Sequence, residues 1–146
     1  MEQINNWKSP IFSNPKSVGE RIWGSEEILE HASGKWMLKK LFMNSGAKGG
    51  LQYHRKKDEG GILISGKLLI RYSLDGKYDL KERVINSGES FHFPPYCIHQ
   101  EEALTDCLII EVTTPHFNDR VRMEKVFGQS VEEGLPSTRF DDIVEM

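Results

Sequence analysis

Four side chains in two separate stretches have the types and spacing to hold a metal ion. Gln52, His54 and Glu59 stand in "GLQYHRKKDEGG" (Gly50–Gly61), and His99 follows "FHFPPYCI". Residues two apart on a strand point to the same face, so Gln52 and His54 share a side. The intervening "RKKD" reads as a turn or bulge, and Glu59 then opens the next strand facing the same interior. His99 lies where a proline-rich turn hands over to a new strand. Two imidazoles and a carboxylate suit a divalent first-row metal, and as a facial triad they leave positions open for water or substrate. The amide oxygen of Gln52 is a weak neutral ligand that either coordinates or hydrogen-bonds a metal-bound water. Against this stands a plainer reading: "HRKKDE" as a solvated charged turn. Spacing alone leaves both open.

The elements that must position these residues read as strands. "KWMLKKLFM", "GILIS", "KLLIRYSL", "KERVIN", "ESFHF" and "DCLIIEVTT" are short runs rich in apolar and β-branched residues. Turn signals separate them at spacings of about eight to twelve residues, the pattern of an all-β sandwich or barrel. Gly66 and Lys67 predict a tight hairpin between "GILIS" and "KLLIRYSL", and "DGK" (Asp75–Lys77) predicts another. "SEEILEHA" suits either one helical turn or a strand. "CLIIEV" is the strongest strand, and its unbroken apolar run predicts burial on both faces. The expected layout is a leader over 1–20, a barrel over 21–129 and a tail over 130–146, with short helical or irregular terminal segments.

Composition bounds the rest. At 146 residues, 38% hydrophobic and 28% charged, the chain is long enough for one domain with its own core. The net charge of −3 gives no electrostatic case for nucleic acid or an anionic membrane. No apolar run is long enough to cross a bilayer, and "MEQINNWKSP" lacks a signal-peptide pattern. Two cysteines, Cys97 and Cys107, make no disulfide framework, so the expectation is a cytoplasmic protein with free thiols.

Two motifs of this sequence resemble those of the cupins. Gly46, five residues, Gln52-Tyr53-His54, four residues, Glu59, six residues and Gly66 resemble the first cupin motif, with Gln in the first His position. Gly88, five residues, Pro94-Pro95-Tyr96, two residues and His99 resemble the second, with Tyr96 where Gly is usual. The resemblance implies a single-domain jelly-roll β-barrel. The chain is most similar to the C-terminal isomerase domain of type II phosphomannose isomerases, often fused to mannose-1-phosphate guanylyltransferase. "RIWG" (Arg21–Gly24), "GLQYH", "IIEV" (Ile109–Val112), "RVR" (Arg120–Arg122) and "FGQ" (Phe127–Gln129) resemble that family over about residues 18–129. Departures are "EGG" (Glu59–Gly61) for "EHW", which predicts a wider or reshaped pocket, Asn118-Asp119 for an acidic pair, and Gln129 for Arg.

The resemblance implies one divalent ion (Zn, Mn, Fe or Ni) on Gln52, His54, Glu59 and His99. It also implies a metal-dependent sugar-phosphate or nucleotide-sugar isomerase or epimerase, in the manner of mannose-6-phosphate isomerase. Such chemistry needs a Lewis acid and a base within reach. Glu111 interrupts a buried run with a carboxylate and is the candidate base, or else the partner of a barrel-end Arg or Lys. Lys39 and Arg71 could meet a phosphate or carboxylate, Tyr96 could line the mouth, and Arg122 matches the family's late Arg, where a guanidinium suits phosphate. Partners are then a phosphorylated or nucleotide-linked sugar and a second copy of the chain, a homodimer with the leader as exchange element. The same triad would also serve an iron dioxygenase or a non-catalytic sugar sensor.

Overall fold

The structure, a computed structural model, describes residue 3, residues 5–77 and 79–129, and the backbone of 144–145. Its strands are β1 (Lys16–Arg21), β2 (Gly24–Ala32), β3 (Trp36–Met43), β4 (Gln52–Tyr53), β5 (Glu59–Ser65), β6 (Lys67–Ser73), β7 (Lys81–Asn86), β8 (Ser90–Phe93), β9 (Ile98–Ala103), β10 (Cys107–Thr113), β11 (His116–Phe117), β12 (Val121–Arg122) and β13 (Val144–Glu145). They form a six-stranded antiparallel sheet in the order β1-β2-β3-β10-β5-β8, facing a five-stranded sheet ordered β12-β4-β9-β6-β7. β11 pairs with β13. This is the expected all-β jelly roll, and no described residue is helical. The tail over 130–143 lies outside the described residues. "SEEILEHA" resolves as a strand, because β2 gains a ladder with β1 on one side and β3 on the other.

One topological expectation fails. β5 and β6 are not a hairpin: β5 pairs with β10 and β8, whereas β6 pairs with β7 and β9 in the opposite sheet. A single residue, Gly66, carries the chain across. Its φ of 103° and the carbonyl of Asp106, 2.3 Å from where a Cβ would sit, leave room only for glycine. One residue is too few to close a two-residue turn, so the chain changes sheets instead of reversing. The "DGK" expectation holds, since β6 pairs with β7 from Lys67↔Asn86 to Tyr72↔Lys81.

Inward side chains divide the interior into two ends. Met43, Leu63, Leu68, Ile70, Ile85, Phe93, Ala103, Cys107 and Ile109 make a continuous apolar cluster. Toward the other end the same strands turn polar: Lys39 on β3, Glu59 on β5, His99 on β9 and Glu111 on β10 are all buried. At "EGG" the interior is reshaped rather than widened. Gly61 is inward, but Phe91 opposite it fills the gap, with its ring 2.4 Å from the position a Cβ would take.

Candidate metal centre

The polar end is organised by a loop and two strand starts. His54 directly follows the short β4, Glu59 opens β5 and His99 lies second in β9, opposite Gln52. Between His54 and Glu59 the chain bends around Asp119, which is 2% exposed. The Asp119 carboxylate accepts the backbone N–H groups of Lys56 and Lys57, both at 2.7 Å, and that of Arg55 at 3.3 Å. The far end of the loop is tied by Asp58 N–H to Thr114 Oγ1 at 3.0 Å. The "RKKD" segment is thus a fixed loop, held by Thr114 before β11 and Asp119 after it.

The ligand atoms of His54, Glu59 and His99 lie within 4.8 Å of one another, and all three residues are buried. His54 Nε2 is 3.2 Å from Glu59 Oε1, and His99 Nε2 is 3.6 Å from Glu59 Oε2. Each ring is oriented from behind. His99 Nδ1 donates to the carbonyl of Cys97 at 2.9 Å, and His54 Nδ1 donates to the carbonyl of Asp119. The Phe93 ring stacks on His99 at 3.9 Å between centroids. A neutral imidazole whose Nδ1 holds the proton presents a lone pair at Nε2. Burial holds His99 below the ordinary histidine range, against the opposing charge of Glu59, which keeps that ring neutral. Two lone pairs and a carboxylate therefore converge in a dry place, and His54 Nε2 has no hydrogen-bond partner there. A cation would satisfy that set, and the residues present fit a divalent metal.

Charge around the triad is dense. Lys57 Nζ is 3.0 Å from Glu59 Oε1. Burial alone would push the Lys57 ammonium down, but Glu59 and Glu111 outweigh it and hold its pKa above the usual value. Burial likewise opposes ionisation of Glu59, yet Lys57, His54 and His99 keep its carboxyl well below the ordinary range. Glu111 goes the other way: burial and then the charge of Glu59 hold it well above the carboxylate range. Burial and Glu59 push Glu101 up to about 8. The centre thus combines one carboxylate whose ionised form is favoured with two whose ionisation burial and Glu59 oppose.

The other sequence candidates are placed as follows. Gln52 sits opposite His99, and its Oε1 gathers with Arg122 Nη1 and Glu124 Oε1 over the bare Cα of Gly50, where a Cβ would lie 3.5, 3.0 and 3.3 Å from them. Arg122 Nη1 donates to Glu124 Oε1 at 2.9 Å. Lys39, inward and 7% exposed, is paired with Glu26 at 2.9 Å and stands opposite Glu111 in register. Arg71 is not at the centre. It alternates with the inward Ile70 and Tyr72, lies opposite Gln100, and pairs with Glu102 at 2.8 Å. Tyr96 is exposed at the rim, stacked on Tyr53, and its N–H donates to the carbonyl of His54 at 2.8 Å. Its φ is 65°, which explains why glycine suits this motif position, and here an aromatic ring bears the strain.

Two residues escaped the sequence reading. In the sequence Lys57 is one residue of the "RKKD" turn or bulge, with nothing to set it apart from its neighbours. Asp119 stands out there only as a departure from the family pattern. Its role depends on backbone donors 62 to 64 positions away, which no local pattern displays.

No family model matches the sequence, and no curated protein matches it. Solved structures do. The capsular polysaccharide assembling protein CapF from Staphylococcus aureus superimposes with a TM-score of 0.62 at 17% identity, over 92% of this chain and 32% of that one. KdgF from Halomonas sp. gives 0.59 at 20% identity, over 73% and 93% of the two chains. An RmlC-like cupin from Shewanella frigidimarina gives 0.56 at 19%, over 72% and 90%. The jelly roll is thus of the cupin type. The chain spans about a third of the length of the CapF chains it matches. No helix among the described residues is long and apolar enough to cross a membrane.

Proposed function

We propose that this chain is a metal-dependent cupin enzyme acting on a sugar derivative, an isomerase or epimerase of a phosphorylated or nucleotide-linked sugar. The observation that carries the metal is the convergence of two carbonyl-oriented imidazoles on one buried carboxylate. His54, Glu59 and His99 would hold the ion, with Gln52 beside them. The sugar reading is supported by the motif resemblance to phosphomannose isomerases and by the likeness to a capsular polysaccharide assembling protein.

A divalent ion held there supplies Lewis acidity to a carbonyl oxygen and its neighbouring hydroxyl. The chain's own residues do the rest. Lys57 Nζ holds Glu59 Oε1, which fixes the carboxylate's orientation and leaves Oε2 turned toward His99. Glu111, whose affinity for a proton is raised by burial and by Glu59, would as a carboxylate take the proton from the substrate carbon and return it to the neighbouring carbon. Lys39 stands opposite it on β3, where its charge favours the ionised form of Glu111 once a proton has moved. The exposed Tyr96 and half-buried Arg122 offer an aromatic face and a guanidinium to the sugar and its phosphate.

The test is metal analysis of the purified protein, followed by a panel of sugar phosphates and nucleotide sugars in deuterium oxide. Exchange at the carbon beside the carbonyl is expected. Glu111→Gln should abolish that exchange while the protein keeps its metal. Oxygen uptake without exchange would overturn the isomerase reading in favour of a dioxygenase, and a protein that holds no metal after supplementation would overturn both.

A further inference from the structure

On the side of β5 turned away from the metal centre, the barrel carries a cleft of about 290 Å³ that plays no part in holding the ion. Its floor follows from the register. Gly60 lies opposite His92 of β8 on one side and opposite Val112 of β10 on the other. All three alternate with inward residues, so they form one outward row across three strands. The middle member has no side chain. Neighbouring strands lie about 4.8 Å apart, so His92 and Val112 stand roughly 10 Å from each other with a bare Cα between them. No close approach of backbone demands that glycine, because a Cβ on Gly60 would meet nothing nearer than Val112 Cγ1 at 3.8 Å. The gap is open space.

The two walls differ in chemistry. Trp36, at the start of β3 and 39% exposed, closes the side beyond Val112, with Lys35 next to it. His92 and Asp58 close the other side. Both side chains are open to solvent, and His92 Nε2 stands 2.6 Å from Asp58 Oδ1, which leaves His92 Nδ1 and Asp58 Oδ2 for another molecule. Thr114 Oγ1 accepts the Asp58 N–H at 3.0 Å and fixes that wall. An exposed pair of this kind contributes little to folding. An apolar ligand would cover Trp36 but take Asp58 and His92 out of water without new partners. An anion would meet the Asp58 carboxylate. A pyranose ring matches both walls: its C–H face is apolar like the indole plane, and the hydroxyls of its rim donate and accept.

We propose that this cleft is a second ligand site, which takes one ring of a neutral saccharide stacked on Trp36 with its hydroxyls on Asp58 and His92. Ligand sites begin at about 300 Å³, so a cleft of this size suits a single ring, and the rest of a longer saccharide runs over the surface. Glu59 and Gly60 are successive residues facing opposite ways. The cleft and the metal centre therefore share a strand while their binding side chains stand on opposite sides of it, and saccharide binding here needs no ion.

The experiment is a titration of the full chain with maltotriose, cellotriose and mannotriose at millimolar concentration, followed by amide NMR with and without a chelator. At least one should bind, with shifts centred on Lys35, Trp36, Gly60 and His92 that the chelator leaves unchanged. Trp36→Ala should weaken binding by about tenfold. Gly60→Val fills the gap with a side chain the backbone accepts and should abolish binding. Both changes lie on the outer side of the sheet, so circular dichroism should be that of the wild type. The proposal is overturned if none of the three saccharides binds, or if binding survives both variants. Shifts that gather on His54 and His99 and vanish with the chelator would overturn it in favour of the metal centre. The same amides shifting on dilution of sugar-free protein would overturn it in favour of a second copy covering the cleft. No step uses the ion, so the result stands apart from that of the deuterium-exchange test.

Discussion

Along β10 the inward positions run Cys107, Ile109, Glu111, Thr113, and along β5 they run Leu63, Gly61, Glu59. Each strand therefore passes from hydrocarbon into charge, within two residues on β10 and four on β5. The apolar end gains free energy with every side chain it buries, about 1.5–3 kcal/mol for a leucine. The polar end buries Glu59 and Glu111 and half-buries Lys57 and Glu101, where each charge is costly unless paired or neutralised. One end holds the barrel closed so that the other can keep an arrangement that would not stabilise a fold by itself.

The largest expected effect comes from breaking the apolar end. Leu63→Ala, at a position with no exposure, should cost about 2–5 kcal/mol in urea unfolding. The protein that remains folded should still take up metal, and if it does not, the two ends are not separable. Next, His99→Ala should weaken metal retention by more than the ~100-fold typical of losing an outer partner, with little loss of fold, read by elemental analysis beside circular dichroism. Asp119→Ala releases three backbone N–H groups and should lower metal affinity by roughly 10- to 100-fold, measured by competition with a chromogenic chelator.

The smallest effect is a slope in pH. In metal-free protein Glu111 has its carboxyl raised, so its contribution to stability is complete below the ordinary carboxylate range and is lost as pH rises toward the folded value. Glu59 is depressed, so its contribution is present above that range and is lost only as pH falls below it. Urea midpoints in chelator should therefore decline from mildly acidic to alkaline pH, by at most about 1.4 kcal/mol per unit for one proton. Glu111→Gln should flatten that decline. An unchanged slope would mean that the polar end is neutralised by other groups.

The barrel was legible because alternation and turn residues are local signals. β3, β6 and β10 fall where the apolar runs lie, and His54, Glu59 and His99 meet because their motif gaps match strand geometry. What stayed hidden was non-local. Gly66 and Lys67 look like a hairpin turn until the partners of β5 and β6 are known. Gly61 looks like open space until Phe91 is placed across from it. Arg71 and Lys39 are both strand cations in the sequence. Only the register sends one outward to Glu102 and the other inward to Glu26.

His54 leans on the carbonyl of a residue 65 positions downstream, and its loop hangs from the side chain of that same residue. During synthesis the ribosome releases His54 and Glu59 long before Asp119. A nascent polypeptide halted short of that point owns the donors but lacks the brace that aims them. An ion bound at this centre would accordingly be gripped only after Asp119 has emerged.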